Sequence, residues 1–411
     1  SGPAGGLAGA AFAAAQTGCP RLLTFDMGGT STDVAVVDGE PRLTTESRIA
    51  GFPVALPMVD MHTIGAGGGS IARLDAGGML LVGPESAGAD PGPACYDRGG
   101  REATVTDANL VLGRLDPNGF LDGRMRLNPD AARDALGRLA RAMRLSIEEA
   151  ALGVIRLADE HMARALRMIS VQRGLDPSDF ILTSFGGAGG LHVCALAEAL
   201  SMTRALVPVH AGVLSALGML VTPAGRTLTR TRLGLLEEAG DAEIEAALGA
   251  LAESGIAELE QEGVARADLC VEHSLDLRYR GQSHSLNLRW DGVADTITAF
   301  HGQHRERYGY GLELPVELVN LRARVRGPIP NLALPPIGTS GRGGPTGCSV
   351  AYGCPTPVAC CTRENLGQGD ALVGPAIIAD ALATTWLAPG WRADLDPVGN
   401  LVLQRAVRER P

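Results

Sequence analysis

The chain has 411 residues, a formal net charge of −10, 45% hydrophobic residues and 20% charged ones. That is the balance of a folded globular protein with room for two or three cores, and it is too acidic for a non-specific grip on nucleic acid. Every one of the 36 basic residues is Arg, which excludes the P-loop lysine, lysine Schiff bases and Ser-Lys dyads, so a phosphate would have to be met by backbone N–H groups, hydroxyls, Arg or a metal ion.

The N-terminus, "SGPAGGLAGA", is Gly-rich and lacks the basic and apolar regions of a signal peptide. No apolar run reaches the length of a membrane span. These features predict a cytoplasmic protein with no membrane or nucleic-acid partner. Leu22–Phe25 and Val34–Val37 read as strands joined through "DMGGTST", with Asp38-Gly39 as the next turn and a third strand near Leu43. From about 50 to 125 the chain is dense in glycine, and its interleaved apolar residues and single Asp, His and Glu residues predict turns around a ligand rather than a linker.

Helical signals follow. Asn128-Pro129 starts one helix, and Ser146 with Glu149 forms a capping box for a longer one. Its stripe of Val154, Ile155, Ala158, Met162, Ala165 and Ile169 keeps near-3.6 spacing until Gly174 stops it. A turn at Asp176-Pro177, a strand over 180–183, the loop "SFGGAGG", a helix over 191–200, a strand over 204–207 and a helix over 212–220 complete an α/β pattern. After "TPAGRTLTR" an Ala/Glu-rich helix (241–262), alternating strands in "VEHSLDLRYR" and "SLNLRW", a loop at 338–347 and short strands in "VGPAIIADALATTWLAPGW" predict a second, smaller α+β domain. The expected division is therefore 1–225 and 226–411.

The chemistry concentrates in the glycine loops. Gly28 and Gly29 between two strands let a backbone approach an anion, and Thr30 and Ser31 add hydroxyl donors. Asp26 would repel a bare phosphate, so its place there calls for a cation, Mg²⁺ held directly or through water. Locally the same residues fit a Gly-Gly hairpin with Asp26 capping the turn. A second loop, Gly186, Gly187, Ala188, Gly189 and Gly190, also follows a strand and opens a helix, which favours the phosphate reading.

"DMGGTSTDVAVV", "HTIGAGGGSIA", "VGPESAGADPGPACY", "TVTDANLVLGRL", "FGGAGGLH" and "AGVLSALGML" together resemble the hydantoinase A/oxoprolinase family. The likeness is dense over 1–221 and looser onward, through "YRGQSHSL", "ERYGY" and "GPAII". The resemblance implies an actin-like ATPase lobe with a ribonuclease-H-like sheet and a Gly-rich insertion. In it Gly28, Gly29, Thr30 and Ser31 form the second phosphate loop, and Gly186, Gly187, Ala188 and Gly189 the adenosine-side loop. It further implies an N-terminal lobe with another phosphate loop, which residues 1–411 do not contain, so the chain alone is expected to lack turnover. Mg-ATP would lie between the lobes, with Asp26 at the metal. Phosphorylation of an amide oxygen would make a hydantoin or 5-oxoproline ring open to water, with a hydantoinase B-type subunit as partner and a homodimer allowed. The alternatives are the nucleotide-handling subunit of an ATP-dependent ketone carboxylase and an actin-like nucleotide switch or assembly module without substrate chemistry.

Asp60 and His62, before a third glycine run, are candidates for substrate or metal contact and for catalysis; a lone Asp-x-His is more often structural, and the match to a family motif strengthens the functional reading. A pure switch needs no such set. Glu85, Asp90 and Asp107 either line the same cleft or brace its loops. Cys95 has no His partner by spacing and is expected to be a buried structural thiol. His192 opens the helix after the second loop, where a helix-start hydrogen bond is the alternative to a site role; the family has Pro where Gly190 stands, which leaves that loop looser. His284, His301 and His304 are expected at the surface or at an interface, and the i, i+3 spacing of the last two also suits a metal. Cys348, Cys354, Cys360 and Cys361 lack zinc-knuckle spacing and are expected to be reduced thiols.

Overall fold

The computed structural model of the chain describes residues 2–44, 47–49, 52–54, 58–338 and 344–406. The chain divides into two units, one made of 1–221 with 332–411 and the other of 222–331. In chain order the first carries α1 (Gly2–Gln16), β1 (Arg21–Met27), β2 (Thr32–Asp38), β3 (Met61–Ile64), α2 (Val105–Val111), α3 (Pro129–Met143), α4 (Ile147–Ile169), β4 (Ile181–Phe185), α5 (Val193–Ala199), β5 (Arg204–Val207) and α6 (Leu214–Val221).

The apolar run in β1 is buried on both faces, as a central strand requires. It pairs in parallel with β4 and antiparallel with β2; β4 pairs in parallel with β5, and β3 joins the outer edge of β2. With the strands of the C-terminal segment, the described residues form a nine-stranded mixed sheet. Residues directly opposed across strands share a face. One row is therefore Phe185, Asp26, Asp33 and Thr63, and the adjacent row on the other face contains Phe25, Val34 and His62. On the first face α1 packs so closely that a Cβ at Gly6 would meet the Phe185 ring at 2.7 Å. On the second, Thr32 Oγ1 lies 3.6 Å from Met162 Sδ of α4.

α4 begins at the expected Ser146/Glu149 capping box, buries its predicted stripe, and is followed by a short 3-10 turn ending at Gly174 in the left-handed region. α1 holds together for a different reason. Its glycines disfavour helix by roughly 1 kcal/mol each, yet they let two backbones touch. A Cβ at Gly9 would lie 2.6 Å from the Leu214 carbonyl oxygen, and one at Gly218 in α6 would overlap that of Gly5.

The second unit is a four-stranded antiparallel sheet of Gly225–Leu235, Val316–Arg326, Cys270–Tyr279 and Leu286–Arg289. Two helices accompany it, α7 (Asp241–Gln261) and α8 (Val293–Tyr308), with Leu275, Leu277, Leu318, Leu321 and Phe300 in the core. It ends earlier than the sequence suggests. Residues 332–411 do not continue the 226–411 domain expected above; they return to the first unit, where Leu401–Arg405 pairs antiparallel with β5. Short strands carry no mark of their partner, so local patterning assigned them to the nearest domain. Of the loop expected at 338–347, residues 339–343 lie outside the described residues. Among the described residues no helix is long and apolar enough to cross a membrane.

Gly218→Ala should lower the melting temperature of the chain by several degrees, because backbone must move to admit the methyl group, at a cost of about 1–3 kcal/mol or more. Gly249→Ala, at a helical site where a Cβ meets nothing within 4 Å, should be neutral or stabilising. Differential scanning calorimetry of the two variants decides; equal melting temperatures would remove the case for backbone contact between α1 and α6.

Candidate functional site

The loop after β1 is closed by Gly28 N–H donating to the Ser31 carbonyl at 3.1 Å. A second glycine run lies against it. Gly68 N–H donates to Gly28 O at 2.9 Å and Gly69 N–H to Gly29 O at 2.6 Å. Gly67 passes so near that a Cβ there would stand 2.7 Å from the Thr30 backbone nitrogen and 2.8 Å from the Gly29 carbonyl carbon. In a planar trans peptide the C=O and the following N–H point in opposite directions. Because the Gly28 and Gly29 carbonyls face the second run, the N–H groups of Gly29 and Thr30 turn away from it. Among the described residues these two N–H groups, and that of Ser31, have no hydrogen-bond acceptor. A Cβ at Gly29 would meet nothing within 4 Å, one at Gly28 only Ser31 O at 3.9 Å, and neither residue lies in the left-handed region. No contact and no left-handed φ inside the protein calls for glycine at these two positions.

Two further elements hold this arrangement. At the start of α2, Thr106 donates both its N–H (2.7 Å) and its Oγ1 hydroxyl (2.8 Å) to Gly68 O. Asp107 in the same turn accepts from the N–H groups of Ala94, Cys95 and Thr104 and from the Thr104 hydroxyl. The loop after β4 arrives from the other side. Gly186, at φ +78°, donates to Ala211 O at 3.0 Å, Ala188 N–H donates to Met27 O at 3.1 Å, and the Ala188 methyl lies 3.7 Å from the Cβ position of Gly68. Two of that loop's amides are thus engaged in fastening it to the protein. Residues 382–385 of the C-terminal segment wall it in, with Leu382 O 3.2 Å from the Cβ position of Gly187 and Thr385 Oγ1 2.6 Å from that of Gly190.

Asp26, the last residue but one of β1, lies directly opposite Asp33, whose carboxylate accepts the Thr63 hydroxyl at 2.5 Å. Burial, and secondly the charge of Asp33, push the Asp26 carboxyl up to about 6. It is therefore a carboxylate poised to exchange a proton near neutrality, or to welcome a cation that relieves the repulsion. Among the described residues no three His, Cys, Asp or Glu side chains converge; a hydrated Mg²⁺ shared with phosphates needs only one or two carboxylates.

The other expected site residues are engaged elsewhere or support the corner from outside it. His62 opposes Val34 on the α4 face of the sheet. Asp60, just before β3, is gripped by both guanidinium nitrogens of Arg173, which follows α4. Neither is brought to Asp26. Glu85 is exposed and paired with Arg73 at 2.8 Å, and Asp90 is exposed. Asp107 is consumed by its four donors, and Cys95 is fully buried with its thiol pKa raised, first by burial and then by Asp107. His192 is buried with Nδ1 2.6 Å from Asp159 and makes no side-chain cap to α5. Sequence reading passed over Asp33, although it stands in the same quoted motif, and over Arg173 and 382–385, whose roles come from tertiary contact alone.

The model of the hydantoinase/oxoprolinase family matches residues 1–224. Caprolactamase subunit alpha of Pseudomonas jessenii is 38% identical over 97% of this chain and 60% of its own length, and 5-oxoprolinase 1 of Arabidopsis thaliana is 32% identical over 98% and 34%. Acetone carboxylase, in a nucleotide-free structure from work on ATP-dependent acetone carboxylation, superposes with a TM-score of 0.82 at 27% identity, covering 98% of this chain and 61% of the other. The crystal structure of ATP-dependent caprolactamase from Pseudomonas jessenii gives 0.81 at 35% identity, with the same coverage. The chain spans about 60% of the length of the first curated relatives it matches.

The raised Asp26 pKa has a direct stability consequence. A carboxyl that binds its proton more tightly folded than unfolded favours the fold fully below about pH 4 and loses that contribution as pH rises through 6. Asp26→Asn should therefore be more stable than the parent at pH 8 by up to about 3 kcal/mol, at ~1.4 kcal/mol per pH unit, with the gain vanishing by pH 4. Urea unfolding of both proteins across this range tests it; a difference independent of pH would refute the assignment.

Proposed function

The chain belongs to the hydantoinase/oxoprolinase family, and from that premise we propose that it forms part of the ATP-binding component of an enzyme that hydrolyses a cyclic amide of the hydantoin, 5-oxoproline or lactam type. The observation that carries this reading is the outward-facing pair of N–H groups at Gly29 and Thr30, followed by the unpaired N–H of Ser31, on a loop whose glycines make no contact inside the protein that a Cβ would disturb. These amides receive phosphate oxygens, the Thr30 and Ser31 hydroxyls add donors, and Asp26 stands at the metal. When bound, Mg-ATP would supply a phosphoryl group to the amide oxygen, making the carbonyl carbon electrophilic enough for water to add, with the ring C–N bond breaking, the nitrogen leaving as the amine and the phosphoryl group passing to water as inorganic phosphate. The chain's own part is positional: it fixes the phosphates by backbone groups that need no rearrangement, and keeps a carboxylate beside them able to orient a metal-bound water or take a proton.

The mixed sheet with glycine loops at the ends of β1 and β4 supports an actin-like ATPase architecture, in which a second lobe completes the cleft and a partner subunit carries the hydrolytic step. The second reading is the nucleotide-handling subunit of a ketone carboxylase, favoured by the superposition on acetone carboxylase. The amide reading ranks first because the caprolactamase relative is the more similar in sequence, 38% against 33% for the gamma subunit of acetophenone carboxylase.

Gly29→Ala should leave the melting temperature within a degree or two of the parent, because its methyl group enters open space, yet abolish calorimetrically detected Mg-ATP binding, as should Asp26→Ala. Parent-like binding by the Gly29 variant would remove the phosphate from this loop.

A further inference from the structure

Two motifs lie outside the nucleotide corner, "RYRGQSH" (278–284) and "HGQHRERYGYG" (301–311), and the second unit folds them against each other. Tyr279 ends the strand Cys270–Tyr279 wholly buried, and its ring packs edge-on against Phe300 and His304 of α8. Its hydroxyl accepts the Leu312 N–H at 3.1 Å and lies 2.7 Å from His301 Nδ1. A phenol has one proton to give. Among the described residues His301 Nδ1 is the one acceptor within reach of that buried proton, and a Tyr279 hydroxyl donating to it leaves the imidazole N–H on Nε2.

His304 is arranged differently. Its Nδ1 is 2.9 Å from the Tyr310 carbonyl, an acceptor that demands Nδ1–H, and its Nε2 is 3.4 Å from the Gln282 amide nitrogen. Both nitrogens are engaged on a buried ring, so the i, i+3 pair leaves His304 without a lone pair for a metal. His301 is only half-buried. One turn further along α8, and hence on the same side of the helix, stands the exposed Arg305. Its Nη2 and the Tyr279 hydroxyl border one point, 3.4 and 3.8 Å from the Cβ position of Gly311, so a side chain there would intrude on the arginine. Arg280, next to Tyr279, is also exposed. Among the described residues neither Arg280 nor Arg305 forms an ion pair, although Glu306 and Glu313 are near in sequence.

We propose that His301 and Arg305 form a carboxylate-binding site in which Tyr279 is the positioning residue. The guanidinium fork meets two oxygens in one plane and the imidazole Nε2–H adds a directed donor. Tyr279 decides which imidazole nitrogen carries the proton, and so whether the outer edge of His301 donates or accepts. The site has neither the glycine loop nor the row of backbone amides that a phosphate site uses. The carboxylate is either a free small acid or an acidic side chain of another protein.

Long-range proton–nitrogen spectra of the histidine-labelled chain read this directly. His301 should report the Nε2–H tautomer, and acetate or succinate should shift it saturably; a shift by a glutamate-rich peptide alone identifies a protein-borne carboxylate instead. Arg305→Gln, an exposed change, should weaken the response about tenfold. Tyr279→Phe, which keeps the ring packing, should abolish the tautomer preference and weaken the response about fivefold. An equal shift with chloride or phosphate at matched ionic strength would overturn the proposal. So would silence towards acetate, succinate and peptide up to tens of millimolar, or a tautomer unchanged in the Phe variant.

Discussion

The candidate site depends on the opposition of C=O and N–H within a single peptide plane. Gly68 and Gly69 occupy the carbonyls of Gly28 and Gly29, and peptide planarity then leaves the next amides no direction but outward. The supporting contacts serve this geometry. Thr106 holds Gly68 from α2, Asp107 holds the turn that presents Thr106, and Gly67 must be glycine so that the two runs can come within van der Waals contact. The outward-facing amides are thus fixed in direction by backbone pairing, in a chain that has no lysine to offer.

Electrostatics adds a second layer. The sheet register puts Asp26 and Asp33 side by side on one face and sends His62 to the other, so alternation within β2 and β3 separates residues that a linear motif places close together. The like-charge pair, partly withdrawn from water, raises the affinity of Asp26 for a proton and by the same physics for a cation. The loop after β4 contributes differently, being fastened by its own amides and walled by 382–385.

Much of this was legible in the sequence where local rules decide. The strands of the opening hairpin, the Ser146/Glu149 cap and the stripe of α4 follow from periodicity and turn chemistry, and the glycine loops stand at strand ends as read. What stayed hidden was pairing at long range. The strand 401–405 completes the first sheet, Arg173 neutralises Asp60, and the i, i+3 histidines take unlike hydrogen-bond partners. None of these partnerships has a local signature. Asp33 is the instructive case: its residue type was visible, but its significance is set by the cross-strand register.

The interrupted first unit bears on the order of events during synthesis. β5 is made some two hundred residues before its antiparallel neighbour Leu401–Arg405, and the whole second unit lies between them. Closing so long a loop is entropically slow, and until it closes β5 offers an unsatisfied strand edge to other chains. A second unit that folds first shortens the effective loop by drawing residues 222 and 331 into one compact body. The inserted domain then acts as a timing device, and the nascent chain is most exposed to aggregation between the emergence of β5 and that of its partner strand.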